Sequence, residues 1–231
     1  IDTSLNKKGS LTYGEFLIKG KSKKEILITT YICHPSMANN ELSGPLVATA
    51  LAKKFSKEKN NFSLRFIFVP ETIGAIAYIK KNLSNLKRNV FAGYSITRIG
   101  DERKYSFLPT KYENTISDRA AFKAFKALNI KFDRYNFFEH RGSDERQFNS
   151  PGVDIPIATV MRSRSYKEYH TSSDDFKLVT KKGLYGGYKV MEKIIFILQN
   201  NLRPIAKYHC EPQMGKRNLY SVWGQDKSWS T

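Results

Sequence analysis

An α/β fold, with a mixed, mostly parallel sheet between helical layers, is predicted by three features of the sequence. Short β-branched runs alternate with stretches of helical spacing. One run, Ile26 to Ile32, is nearly all apolar, as a strand covered on both faces requires. Histidine and carboxylate residues stand directly after such runs, at the carboxyl ends of strands, where open α/β sheets build their sites.

Glu15 to Gly20 and Glu25 to Ile32 read as strands on either side of a lysine-rich turn, Lys21 to Lys24. The second strand delivers His34. Val47, Leu51 and Phe55 lie on one face of a helix over Pro45 to Phe55. Leu64, Phe66 and Phe68 alternate along a strand, Ser63 to Val69, that delivers Glu71, and Ile73 to Leu83 follows as a helix. Val90 to Ile99 and Lys104 to Leu108 are the next strands. Ser117 to Leu128 reads as a helix capped by Ser117. Val153 to Met161 is a further strand, bounded by Pro151-Gly152. Lys181 to Asn200 is the longest helix, with Leu184, Tyr188, Met191, Ile195 and Leu198 on its apolar face.

Residues 1–202 are thus expected to form one domain. From Arg203 the character changes, and residues 203–231 read as a linker and the opening of a second domain that stops early. Ile1 is not an initiator Met, and Gly9 to Glu15 reads as a turn feeding a strand, so an N-terminal part is expected to be missing.

Lys and Arg number 39 against 21 Asp and Glu, a formal charge of +18. The excess is mostly Lys and is spread along the chain. It reads as a solvated surface, with long-range attraction of anionic partners or substrates as the functional alternative. No cluster alternates with aromatics as in a nucleic-acid module, so nucleic acid is not expected as this domain's partner. No apolar run reaches about 18 residues, so no membrane-spanning helix is expected. Two cysteines, Cys33 and Cys210, argue against a disulfide scaffold and suit a reducing, cytoplasmic compartment. A homo-oligomer is compatible with the sequence but not fixed by it.

Four blocks carry the chemistry, in order: CHPSMANNELSG from Cys33 to Gly44, PETIG from Pro70 to Gly74, GSDERQF from Gly142 to Phe148, and YHTSSDD from Tyr169 to Asp175. Two histidines and several carboxylates at the edges of apolar segments are what a hydrolytic metal site built from loop ends needs. Each has a plainer alternative. Glu71 would be favoured by a helix dipole in any case, and the His170 loop has the composition of a helix entry. Asp144 reads equally as a ligand, as a residue orienting a histidine, or as a loop cap. Asp174 and Asp175 read as capping or orienting the His170 loop, and His140 and His209 as structural. Arg141, Arg146 and Arg164 are surface residues unless they bind a substrate carboxylate.

With these blocks in order, the chain resembles the zinc aminopeptidases of the leucyl aminopeptidase and glutaminyl cyclase type. Within them it is most similar to bacterial aminopeptidase-like proteins that carry an inserted small domain and a C-terminal winged helix. The resemblance spans Gly9 to Gly215 and implies a three-layer α/β/α sandwich. It implies His34 and His170 as metal ligands, Asn40 where the family has a ligating Asp, and Glu71 as the general base. Thr72 and Thr97 fall where two more carboxylate ligands are expected, which implies one zinc ion rather than two. Asn40 removes a further unit of charge, worth several kcal/mol at an effective dielectric of about 20, and Glu41 next door substitutes only if the loop shifts. The ligand set implied is His34, His170 and either Asp144 or Asn40. The activity implied is hydrolysis of an amide or N-terminal peptide bond in a peptide or small-molecule substrate. The alternative is an inactive binding or scaffold module of a larger winged-helix protein. The inserted domain would lie upstream of Ile1, and Glu211 to Tyr220 would be the junction into a winged helix that is nearly all missing.

Overall fold

The computed structural model describes residues 6–162, 164–202, 205–207, 209–210 and 213–219. The chain divides into two compact units, Ile1–Asn200 and Asn201–Thr231. The first holds a seven-stranded sheet in the order β1-β3-β2-β4-β7-β5-β6. Its strands are β1 (Gly14–Ile18), β2 (Ser22–Tyr31), β3 (Phe62–Val69), β4 (Val90–Ile96), β5 (Tyr105–Leu108), β6 (Phe132–Arg134) and β7 (Ile157–Met161). The helices are α1 (Ser43–Phe55), α2 (Ile73–Asn89), α3 (Ile116–Ala127), the single turns α4 (Phe137–His140) and α5 (Glu145–Phe148), and α6 (Lys181–Gln199).

The apolar alternation of β2 explains the layers. Ile26 and Ile28 join one core with Val47, Leu51 and Phe55 of α1, Phe125 of α3, and Met191 and Ile195 of α6. Leu27, pointing the other way, joins a second core with Tyr78 and Ile79 of α2 and Phe148 of α5. A strand buried on both faces needs helices above and below it. The result is the expected three-layer sandwich.

Strands β3, β2, β4 and β7 run parallel to one another, so their carboxyl ends share one edge. The chain leaves β2 toward β3 on one side and leaves β4 toward β5 on the other. A crevice opens where connections part in this way, and it opens here between the ends of β2 and β4.

Several boundaries differ from the sequence reading. Ser22 to Lys24 belongs to β2 rather than to a turn, with an irregularity in register before Glu25. β1 pairs antiparallel with β3, not with β2. β4 stops at Ile96 because Arg98 turns the chain with a positive φ. β7 begins only at Ile157, since residues 151–153 form a turn and Gly152 and Asp154 both take positive φ. Helix α2 runs on to Asn89. The cap of α3 is Thr115, whose N–H donates to Asp118 at 2.9 Å. Ser117 instead accepts from Gly93 N–H and donates to the Pro156 carbonyl, tying α3 to the sheet. The short elements β6, α4 and α5 carry too little periodicity to be read in advance.

In the second unit, Gly215–Arg217 forms a 3₁₀ turn ended by Asn218 in the left-handed region. The expected winged-helix opening, Asn218 to Thr231, lies outside the described residues from 220 onward, as do residues 211 and 212 of the junction. No helix among the described residues is long and apolar enough to cross a membrane.

Candidate functional site

The first block leaves β2 at Tyr31, carries His34 past the strand end, and returns through a π-helical turn, Ala38–Leu42, into α1. The Ser43-Gly44 pair makes that return possible. The Ser43 hydroxyl donates to the Asn39 carbonyl at 2.5 Å and accepts from Ile99 N–H at 2.9 Å. A Cβ on Gly44 would stand 2.5 Å from the Ile96 carbonyl oxygen and 2.5 Å from Thr30 Oγ1. Only glycine lets α1 start this close to the strand ends.

The π-helical turn is fixed from outside by the fourth block. Buried Asp174 accepts from Asn39 N–H at 2.6 Å, Asn40 N–H at 3.0 Å and the Tyr166 hydroxyl at 3.0 Å. Asp174 thus orients the loop of the first block as well as its own. The Asp175 side chain, by contrast, accepts only from Lys177 N–H in its own loop among the described residues.

His34 is held by Glu41. One carboxylate oxygen, Oε2, accepts from the His34 backbone N–H and lies 3.0 Å from Nδ1. With the proton on Nδ1, the lone pair sits on Nε2, which faces Glu71 Oε2 at 3.6 Å. An acceptor facing a carboxylate needs a proton or a cation between them. The ring of His170 lies beside that of His34, with centroids 5.3 Å apart. His170 itself has φ +57 and stacks on Tyr169. Two imidazoles bound to one tetrahedral ion through nitrogens at about 2.0–2.1 Å would have centroids roughly 5 Å apart.

Glu71 follows β3 and accepts from the Ser143 hydroxyl at 2.5 Å. Its backbone N–H donates to Cys33 Sγ at 3.1 Å. Burial pushes the Cys33 thiol up, so the sulfur stays protonated. Thr72 has φ +62, an outlier for a β-branched residue, and its N–H donates to Asp144 at 2.7 Å. Asp144 precedes α5 but makes no capping bond to it. It is fully buried, and burial, with Glu71 and Glu145 nearby, pushes its carboxyl up to about 7.

Two carboxylate oxygens of these blocks, Asp144 Oδ2 and Glu41 Oε1, are buried without a hydrogen-bond partner. Among the described residues, Cys33, His34 and Glu41 bring donor atoms within 4.8 Å of one another. The His34 and His170 rings lie side by side, with the Glu41 and Glu71 carboxylates against His34, and imidazole and carboxylate are donor types that suit a divalent cation.

The other side of the crevice is neutral. Tyr31 hydroxyl donates to Asn40 Oδ1 at 2.9 Å and meets the Thr97 hydroxyl. Burial pushes the Tyr31 phenol well above its usual range, so it remains a donor. Asn40 is buried, and its amide nitrogen faces Met37 sulfur at 3.5 Å.

Arg141 and Arg146 are exposed; Arg141 donates to the Phe138 carbonyl, and Arg146 reaches Thr72 Oγ1 only at 3.5 Å. The cleft beside Glu71 is lined instead by Arg98 and Arg164, with Tyr31, Ser143 and Tyr169. Tyr31, Ser143 and Asp174 were legible as members of the blocks or of a strand end. Arg98 follows Thr97 at the end of β4, and that placement was its one signal.

The family described as "Domain of unknown function (DUF4910)" matches residues 4–201. The chain is 42% identical over 226 residues to a Clostridium acetobutylicum protein named "Putative polysaccharide biosynthesis protein with aminopeptidase-like domain", covering 97% of this chain and 51% of that one. A crystal structure of a "putative peptidase" from Clostridium acetobutylicum matches with a TM-score of 0.81 and 40% identity, over 89% of this chain and 49% of that one. BSAP, a zinc aminopeptidase from Bacillus subtilis, matches with a TM-score of 0.71 at 14% identity, over 81% of this chain and 50% of that one, which is a likeness of fold alone. The chain spans about half the length of these relatives. The match over residues 4–201 places this chain in the DUF4910 family.

Proposed function

We propose that the first unit is a hydrolase of amide or N-terminal peptide bonds that works with one zinc ion. The observation that carries this reading is the meeting of His34 Nε2 with Glu71 Oε2 at 3.6 Å, with the His170 ring beside them. His34 and His170 would hold the ion. Of the two candidates for a third ligand, Asp144 fits better, because its Oδ2 is buried without a partner while Asn40 Oδ1 already accepts from Tyr31. When bound, zinc supplies polarisation of the carbonyl and acidification of water.

The chain's own residues supply the proton work. Ser143 fixes one Glu71 oxygen and leaves the other toward the crevice. Glu71 takes a proton from water as the water oxygen bonds to the amide carbon. It returns that proton to the amine nitrogen as the carbon–nitrogen bond breaks, a role worth roughly 10²–10⁴ in rate. Glu41 keeps His34 in the tautomer that leaves Nε2 free. Peptides and small amides are the substrate class, and the cytoplasm suits the free thiols of Cys33 and Cys210.

The neutral Tyr31–Asn40–Thr97 side favours a second reading, an inactive binding module. One experiment separates the two. Zinc-loaded protein and its Glu71→Gln variant are assayed on a panel of aminoacyl amides, with zinc per chain measured on both. Hydrolysis that falls at least about a hundredfold in Glu71→Gln, at equal zinc content and melting temperature, is the expected result. No hydrolysis by zinc-loaded wild type, or equal hydrolysis by both, overturns the hydrolase reading.

A further inference from the structure

We propose that the cleft beside Glu71 is an anion subsite, in which Arg98 and Arg164 receive a substrate carboxylate next to the amide to be cleaved. The proposal deepens the hydrolase reading and rests on it for the fate of the ligand, though not for its binding.

Arg98 is held rigidly. Its φ of +46 lies in the left-handed region, where a non-glycine residue persists only if its surroundings fix it. Its carbonyl accepts from Arg162 N–H at 2.9 Å. Its guanidinium donates to the Arg164 carbonyl at 3.0 Å and to Met161 sulfur at 3.2 Å, and lies over the Tyr169 ring at 5.2 Å. Its Nε is buried without a hydrogen-bond partner. The Arg164 guanidinium donates to the His140 carbonyl at 2.9 Å. An arginine carries five N–H donors, so both side chains are positioned with donors to spare.

Among the described residues, neither guanidinium lies within ion-pair distance of a carboxylate. Three arginines elsewhere meet carboxylates, Arg65 with Glu25 at 2.6 Å, Arg103 with Glu168 at 2.8 Å and Arg134 with Glu113 at 2.6 Å, whereas buried Arg162 is held by carbonyls and the Tyr105 ring away from this cleft. Among the described residues, the partners of Arg98 and Arg164 are carbonyls, a thioether and the rings of Tyr169 and Tyr135. The acidic residues of the same cleft are engaged otherwise. Glu145 accepts from the N–H groups of Gly142 and Ser143 at 2.8 and 3.1 Å and lies 3.3 Å from the Thr159 hydroxyl. Glu71 accepts from Ser143. Two half-buried guanidiniums without a counter-charge are costly unless a ligand completes them.

The size and the wider field agree. The cleft measures about 170 Å³. At about 30 Å³ for each water, that is room for a carboxylate on a short carbon stem. The +18 net charge draws anions toward it. The carboxylate has two sources, an acidic N-terminal residue or the leaving residue.

The test titrates glutarate, and its neutral counterpart glutaramide, onto wild type, Arg164→Gln and Arg98→Gln by calorimetry. Glutarate is expected to bind at least about tenfold more tightly than glutaramide, and each substitution to weaken glutarate about ten- to a hundredfold, as loss of a charge-assisted hydrogen bond does. Equal affinity for the two probes in wild type, or glutarate binding unchanged in both variants, overturns the subsite. If Arg98→Gln does not fold, Arg164→Gln decides alone. Kinetics then assign the source. Preference for glutamyl-alaninamide over glutaminyl-alaninamide puts the carboxylate on the N-terminal residue. Preference for alanyl-alanine over alanyl-alaninamide puts it on the leaving residue. Arginine-dependent glutarate binding without hydrolysis of any substrate sinks the hydrolase reading and keeps the subsite. Hydrolysis indifferent to substrate charge, with no glutarate binding, does the reverse.

Discussion

The two sides of the strand-end crevice both draw on the first motif block but differ in charge. On one side His34 reaches Glu41 through Nδ1 and Glu71 through Nε2, with His170 alongside. On the other, Thr97, Tyr31 and Asn40 join in a hydrogen-bonded chain that carries no charge. The family resemblance leads one to expect carboxylates at positions 40 and 97. Their replacements do not leave a hole, because the Tyr31 hydroxyl stands between them. A second cation beside the first would meet no negative charge there, and like charges close together repel strongly in a buried setting. The difference teaches that the neutral residues at 40 and 97 satisfy one another through Tyr31, whereas the histidine side keeps Glu41, Glu71 and Asp144 even though Thr72 stands there.

The largest way to break this contrast is to remove a ligand from each side. Structural zinc sites bind with about 10–16 kcal/mol across four ligands, so one ligand is worth on the order of 3–4 kcal/mol. His34→Ala should therefore weaken zinc several-hundredfold or more in a chelator-competition titration. Asn40→Ala should change it by less than about threefold. Comparable losses in the two variants would mean that Asn40 is a ligand and that the neutral side takes part in holding the ion.

An effect of comparable size follows from Asp144, whose carboxyl is raised by burial from 3.8 to about 7. In the unfolded chain it releases its proton near the ordinary value, while the metal-free folded protein holds that proton until about pH 7. Between those limits the folded state binds more protons, so its stability falls as pH rises. The contribution is fully present below about pH 4 and lost above about pH 7. At 1.36 kcal/mol for each pH unit the change is up to about 4 kcal/mol. Urea unfolding of chelator-treated wild type and Asp144→Asn should diverge between pH 4.5 and pH 8, the variant gaining at the higher pH. The same difference at both values would remove Asp144 as the source.

The sandwich was legible because its strands carry their own signals. Ile26 to Ile32 could only be a strand covered twice, and the long apolar face of α6 could only be a helix. His34 and Glu71 were legible for the same reason, since each ends such a strand. Pairing was not: β1 and β2 are consecutive, yet β3 inserts between them, and nothing local records that. Contacts across the crevice were equally hidden. Glu41 orients His34 because a π-helical turn folds it back, and Asp174 fixes that turn from 134 residues away along the chain. Arg98 enters the cleft through a left-handed backbone that its neighbours impose. Residue types announce what can bind; only the fold decides which of them face one another.

The smallest expected effect sharpens the contrast most, because it concerns the neutral side alone. Tyr31, Asn40 and Thr97 are all buried, so Tyr31→Phe leaves the Asn40 carbonyl and the Thr97 hydroxyl each short of a partner. An unsatisfied buried polar group costs about 1–3 kcal/mol, less if water reaches it. The variant should therefore lose about 1–3 kcal/mol in urea unfolding while keeping its zinc content and zinc affinity. The reasoning is that Tyr31 touches Asn40 and Thr97 but neither histidine through a hydrogen bond, although its ring lies 5.2 Å from that of His34. If stability is unchanged but zinc affinity falls, Tyr31 works through the ring contact and the two sides are one unit. If stability falls and zinc affinity rises, freeing Asn40 Oδ1 has given the ion another oxygen, and the neutral side is a suppressed half of a larger metal site.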